Sequence, residues 1–218
     1  MKSCDKEELR RALKLYAVTD RAWLNGRTLE EQAEEALRAG VTMLQAREKD
    51  LEEGAFMQEA LRLRKIAGRF RVPLIVDDNL RVALSSGADG VHVGQSDLPA
   101  ARARAEIGPE KILGVSAQTV EQAVRAEKDG ADYLGVGSVF PTSTKPDADS
   151  VPLETLRAIC SAVSIPVVAI GGISEQSALR LSGSGIAGIS VVSAIFAQKD
   201  IPGAVKRLLA LAERVTGR

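Results

Sequence analysis

The sequence predicts an α/β fold in which eight parallel strands close into a barrel ringed by helices. Three observations carry this expectation. Short apolar runs recur eight times along the 218 residues, several apolar at successive positions, as strands covered on both faces require. Charged segments with helical spacing lie between the runs, so strand and helix alternate without a break in composition. The fingerprints of open nucleotide-binding sheets are missing. No G-x-G-x-x-G turn follows the first run, and no G-x-x-x-x-G-K-[ST] occurs. Together these favour a (β/α)8 TIM barrel over a doubly wound sheet, with residues 1–218 as a single domain.

The elements follow in order. "DKEELRRAL" reads as one extra N-terminal helix ahead of the first strand. Strands are expected in "LYAVT" (15–19), "VTMLQAR" (41–47), "PLIVD" (73–77) and "GVHVG" (90–94). The remaining four are "KILGVS" (111–116), "DYLGVGSV" (132–139), "PVVAIGGI" (166–173) and "GISVVSAI" (188–195). Between the first two runs, "TLEEQAEEALRAG" puts Leu29, Ala33, Ala36 and Leu37 on one helix face. Thr28 and Glu31 have capping-box spacing at its start, and Gly40 can end it. "TVEQAVRAEKDGADY" repeats the design with Thr119, Gln122 and Gly130. "SGADG" and "SGIAG" stop helices before later strands, and Ser193 is placed to open a short helix.

Composition narrows the function. Apolar residues make up 45% and charged residues 27%, ordinary for a globular protein that buries a full core without staples. The formal net charge is zero, which points away from nucleic acid and membrane surfaces. No apolar run is long enough to cross a membrane, and "MKSCDKEELRRAL" lacks the apolar stretch of a signal peptide. Cys4 and Cys160 stand far apart without a partner motif, in keeping with a reducing compartment. The expectation is a cytoplasmic protein; a homo-oligomer is compatible with the sequence.

Barrels of this class carry their sites at the C-terminal ends of the strands. Alternate residues of a strand share a face, so Val41, Met43, Gln45 and Arg47 point one way, and Lys49 joins them if the chain stays extended. The apolar pair would fill the interior. Gln45, Arg47 and Lys49 would stand at the mouth, where guanidinium and ammonium suit a polyanionic ligand. The plainer alternative is a solvated strand end with Glu48 pairing one of the bases. Asp77 and Asp78 end the third run and alternate in direction, so each is open to two readings. They can cap the following helix or, with Asp97 after the fourth run, hold Mg²⁺.

Ser116 and Gln118 end the fifth run, and glycines close the seventh, where backbone N–H groups can approach a phosphate. "PTSTK" after the sixth run gathers Thr142, Ser143, Thr144 and Lys145. His92, the sole histidine, lies inside a buried run and reads as a satisfied core side chain. The site is therefore expected to work on anions by electrostatics, with acid–base chemistry secondary.

These residues resemble the thiamine-phosphate synthase family, also called thiamine-phosphate pyrophosphorylase. The likeness runs through "LYAVTDR", "LQAREK", "DGVHVGQSD", "GVSAQT", "ADYLGVGSVFPTSTK", "AIGGI" and "VVSAI", in order along nearly the whole chain. The resemblance implies a (β/α)8 barrel that joins a hydroxymethylpyrimidine diphosphate to a thiazole phosphate, two small-molecule substrates, with Mg²⁺ and release of pyrophosphate. It implies that Gln45, Arg47, Lys49, Asp77, Ser116 and Lys145 bind the pyrimidine diphosphate, with Arg47, Lys49, Ser116 and Lys145 acting on the reaction. Asp78 and Asp97 would hold Mg²⁺. Thr142, Ser143 and Thr144, with the backbone of Gly172, Val192 and Ser193, would hold the thiazole phosphate.

Two positions depart from the family pattern: Asp77 stands where Asn is frequent, and Asn79 where a charged residue is common. A related thiazole tautomerase shares the barrel, but that branch has a histidine in the segment matching "VSAQT", where this chain has Gln118. A non-catalytic barrel sensing thiazole phosphate would need the anion groups but neither Asp78 nor Asp97.

Overall fold

The computed structural model describes residues 6–142 and 150–217. Eight parallel strands close a barrel in sequence order. They are β1 (Leu15–Val18), β2 (Met43–Ala46), β3 (Leu74–Asp77), β4 (Gly90–Val93), β5 (Ile112–Ala117), β6 (Tyr133–Val136), β7 (Val167–Ile170) and β8 (Gly188–Val191). Each lies within one of the eight apolar runs, except that β5 extends one residue past its run, to Ala117. Closure is set by pairing Tyr16 with Ser190 on one side of β1 and with Met43 on the other.

Each strand is buried on both faces, and the two faces belong to different cores. Outward side chains such as Leu15, Ala17, Leu44, Ala46, Leu74 and Val76 pack under the helices. Inward ones, Tyr16, Met43, Ile75, Ile112, Tyr133 and Val168, form a separate interior cluster. The extra N-terminal helix, α1 (Lys6–Ala12), belongs to this second cluster. Its Leu9, with Leu13 just beyond, is buried against the interior residues and stops the lower end of the barrel.

α2 (Leu29–Ala39) forms as its sequence requires. The Thr28 hydroxyl accepts from the Glu31 N–H at 3.1 Å, and the Glu31 carboxylate accepts from the Thr28 N–H at 2.9 Å. Gly40, at φ 120°, ends the helix in a conformation other residues avoid. α3 (Glu53–Phe70), α4 (Leu80–Ser85), α5 (Ala100–Ile107), α6 (Val120–Lys128) and α7 (Leu153–Ala162) complete the next five units. Thr119 caps α6 by accepting from the Gln122 N–H.

The seventh unit departs from strict alternation. Only a 3-10 turn, Ala178–Leu181, follows β7, and the Ser- and Gly-rich stretch after it cannot sustain a helix. α8 (Ser193–Phe196) opens at Ser193 as expected, and α9 (Ile201–Thr216) packs back on α2 and on the 3-10 turn.

One cluster, half-exposed at Arg21 and buried at Glu59, supports the end of β2 from outside. The Arg21 Nε donates to Glu48 Oε1 at 2.9 Å, and its other arm reaches Glu59 of α3. Glu48 therefore pairs with Arg21, not with Arg47 or Lys49, which leaves those two bases for the mouth. Burial, reinforced by the neighbouring Glu48 carboxylate, pushes the Glu59 carboxyl up to about 8. Its pKa is thus raised above the unfolded value, so the stabilisation from the bound proton is complete in acid and is lost as pH rises through about 8. The melting temperature is expected to fall from about pH 5 to about pH 8 and to level off above that, and Glu59→Gln, an uncharged near-isostere, should flatten the fall. Thermal scans across this range check it; an unaltered slope in the variant would assign the pH dependence elsewhere.

Candidate active site

A cavity of about 770 Å³ opens at the C-terminal ends of the strands, within the size range of small-molecule sites. Its wall carries Gln45, Arg47, Lys49, Asp77, Asp78, Asp97, Ser116, Thr142, Gly172, Val192 and Ser193. Every sequence-predicted site residue within the described chain is therefore brought to one place. Ser143, Thr144 and Lys145 lie outside the described residues.

The charged rim is built from β2, β3 and the loop after β4. Arg47 Nε lies 3.7 Å from Asp77 Oδ2 and its other arm 3.6 Å from Asp20. Lys49 bonds to Asp78 and sits 3.6 Å from Asp77. Burial lowers the Lys49 ammonium, but its bond to Asp78 and the charges of both aspartates outweigh this and leave it above its ordinary value. Burial raises the Asp77 carboxyl, against the pull of Lys49 and Arg47. Asp97 is raised by burial first and then by Asp78, whose carboxyl lies within hydrogen-bonding reach. Two carboxyls held together this way favour an added cation.

The capping alternative for these aspartates is not what the chain adopts. Asn79 caps α4, its side chain accepting from the Val82 N–H at 2.9 Å. Asp78 instead occupies a left-handed conformation at φ 58°, which turns its carboxylate toward Lys49. Asp97 accepts from the Gly94 N–H at 2.7 Å and holds the loop it stands on, while Pro99 occupies the cap of α5. Asn79, the family departure noted above, thus has a structural job that frees both neighbours. Among the described residues no three metal-ligating side chains gather, and Asp78 with Asp97 supply two. Magnesium takes one or two carboxylates and completes its octahedron with water and phosphate oxygens, so the pair fits it.

The opposite wall is backbone. Gly171 and Gly172 have φ of 96° and 63°. A Cβ on Gly172 would stand 2.3 Å from the Pro141 carbonyl oxygen, so the loop after β7 meets the loop after β6 only because it lacks a side chain there. In α8 the first amide to bond within the turn is that of Ile195, so those of Ser193 and Ala194 take no partner there. Ser193 and Ala194 line the cavity.

Sequence reasoning missed the floor. Gln45 Nε2 donates to the Tyr16 hydroxyl at 2.7 Å, and Tyr16 bonds Tyr133 at 2.9 Å. Tyr133 meets His92 Nδ1 at 3.0 Å, and His92 Nε2 meets Ser116 Oγ at 2.9 Å. His92 is satisfied, as expected, yet it also lines the cavity and touches a site residue. The signal was available as strand phase: Tyr16 and Tyr133 hold inward positions one layer below the mouth.

A closed eight-stranded parallel barrel with cations and carboxylates gathered at its C-terminal mouth defines a TIM-barrel enzyme built to take a charged ligand. A family profile described as Thiamine monophosphate synthase matches residues 15–195. The thiamine-phosphate synthase of Ruminiclostridium cellulolyticum is 53% identical over 195 residues, spanning 89% of this chain and 93% of that protein. That of Clostridium tetani is 47% identical over 194 residues, with the same coverage of both chains. The solved thiamine phosphate pyrophosphorylase of Pyrococcus furiosus superposes with a TM-score of 0.88 at 42% identity, covering 95% of this chain and 98% of that one. The chain belongs to the thiamine monophosphate synthase family. It is a transferase of thiamine biosynthesis.

Gly172 tests the backbone wall. Gly172→Ala forces a side chain into a left-handed position and against the Pro141 carbonyl, and is expected to cost about 1–3 kcal/mol of stability. Urea unfolding checks it; an unchanged midpoint would mean that the two loops do not meet as described.

Proposed function

We propose that the cavity couples 4-amino-2-methyl-5-hydroxymethylpyrimidine diphosphate to thiazole phosphate, in its aromatic or carboxylated form, giving thiamine phosphate and pyrophosphate, with carbon dioxide also released when the thiazole is carboxylated. The observation that carries this reading is the convergence of Arg47, Lys49, Asp77, Asp78, Asp97 and Ser116 on one mouth within a chain of this family. In the reading, Gln45 and Ser116 hold the pyrimidine half from below, and Arg47 and Lys49 hold its diphosphate from the rim. Asp77 keeps those two cations in place. Thr142, with Ser143 and Thr144, and the backbone at Gly172, Val192 and Ser193 hold the thiazole phosphate. Lys145 reaches the diphosphate.

The reaction is a dissociative substitution. The bond between the pyrimidine methylene and the bridging oxygen breaks, and its electron pair leaves with pyrophosphate. The cation left behind spreads into the aminopyrimidine ring, and the thiazole nitrogen then donates its lone pair to the methylene. Charge grows on the departing oxygen, where Arg47, Lys49 and Ser116 act as preorganised donors. Mg²⁺ held by Asp78 and Asp97 would add Lewis-acid stabilisation of the same oxygens. Lys49 and Asp78 are bonded to each other before either meets substrate, so the diphosphate takes the ammonium and frees the carboxylate for the cation. The holding of both substrates in one cavity supplies the rest through orientation. We take the enzyme to work in the cytoplasm on these small molecules alone.

Arg47→Ala and Lys49→Ala are each expected to lower kcat by about 10²–10³-fold. Asp78→Ala should lose Mg²⁺-dependent turnover. The assay mixes protein with both substrates, with and without Mg²⁺, and follows thiamine phosphate and pyrophosphate. Ligand binding without product would replace this reading with that of a sensor, and full turnover in Asp78→Ala would remove Asp78 from the metal site.

A further inference from the structure

The buried series Gln45, Tyr16, Tyr133, His92 and Ser116 joins five strands beneath the cavity, and with the Gln45 amide oriented as it stands its hydrogen bonds run in one direction. Gln45 donates through Nε2 to the Tyr16 oxygen. Tyr16 must then give its own proton to the one remaining neighbour, the Tyr133 oxygen. Tyr133, having accepted, donates to His92 Nδ1. A ring nitrogen that accepts carries no proton, so the proton sits on Nε2, which donates to Ser116 Oγ. The Ser116 O–H is then left to donate elsewhere, and the cavity is what it faces. Burial holds both phenols well above their ordinary pKa, so each keeps the proton this series needs.

The backbone is cut away to let the series pass. A Cβ on Gly114 would stand 2.3 Å from the Tyr133 hydroxyl and 2.5 Å from His92 Nδ1, inside the bond between them. One on Gly135 would stand 3.1 Å from the His92 ring. Glycine weakens a strand interior, and here it stands where the bond needs the space.

We propose that this series is a positioning device which, by running in one direction, presents an acceptor at one end of the substrate and a donor at the other. The inference rests on the site reading above. Gln45 turns its Oε1 toward the exocyclic amino group of the pyrimidine, while Ser116 turns its O–H toward the anionic leaving group. Reversal of the series would aim the Gln45 N–H groups at an amine and spend the Ser116 proton on His92. Both ends therefore match an aminopyrimidine carrying an anionic leaving group, whereas an oxo analogue could satisfy Gln45 only by reversing the series, at the cost of the Ser116 donor. Tyr16, Tyr133 and His92 act through Gln45 and Ser116 and are positioning residues.

His92 is the only histidine in the sequence, so the ring can be read directly. In the full-length protein labelled with 15N, long-range proton–nitrogen correlation at neutral pH is expected to give the neutral Nε2–H tautomer. An Nδ1–H ring or an imidazolium overturns the proposal. Tyr133→Phe removes the donor to Nδ1 and should lose that pure signature. It should also lower kcat by about 10–100-fold with the KM for thiazole phosphate unchanged. If that variant does not fold, Tyr16→Phe breaks the series one bond earlier. In the Ser116→Ala background the Tyr133→Phe loss should vanish, whereas losses that multiply would overturn the coupling. Should Ser116→Ala turn over unchanged, the site reading falls, while the tautomer, measured without substrate, still decides the direction of the series.

Discussion

A closed barrel of eight strands leaves every inward side chain one of two fates: to pack against other inward side chains, or to find a polar partner across the interior. That constraint orders the molecule from bottom to top. At the lowest level Met43, Ile75, Ile112 and Val168 meet Leu9 and Leu13 and need only volume. Above them Tyr16, Tyr133, Gln45 and His92 bring polar atoms into the same confined space, and each is paired across the barrel. Above these, charge appears, at the level where water and ligand can reach it. Apolar, neutral polar and ionic layers follow one another because the cost of burial rises in that order.

The ionic layer is held under tension by its composition. Four aspartates, Asp20 among them, face two nearby cations, and the carboxyls of Asp77 and Asp97 are harder to ionise than ordinary ones. A ligand set of phosphate oxygens and a divalent cation exchanges partners with such a rim, since each existing ion pair has a replacement. Glu48 contributes by turning the other way. With Arg21 and Glu59 it forms a separate cluster, so that the base–acid–base run at 47–49 splits into two groups serving opposite faces of the strand end.

Much of this was legible in the residue order. The eight strands, the Thr28 and Thr119 caps and the alternation that aims Gln45, Arg47 and Lys49 at the mouth are local properties, readable within a few residues. Two features lay beyond that local reading. The aspartates at 77, 78 and 97 have the composition of helix caps, but Asn79 takes the cap on α4 and tertiary ion pairing takes Asp78. The unit after β7 has room for a helix, but its glycines and serines leave one 3-10 turn. What could not be read at all is contact across the barrel. Tyr16 and Tyr133 are 117 residues apart, and only closure of the sheet makes them neighbours. Arg21 and Glu59, 38 residues apart, meet only once β1 and β2 lie side by side.

The stopper formed by Leu9 and Leu13 has a consequence for traffic. A vessel sealed at its base has one doorway, so everything that enters must leave by the same route. Whatever rests on Gln45 and Ser116 at the floor has to arrive before the molecule that covers it. Any joined product must clear the same doorway before the next pair can load. Entry and exit share that doorway because of residues at the end of the barrel farthest from the chemistry.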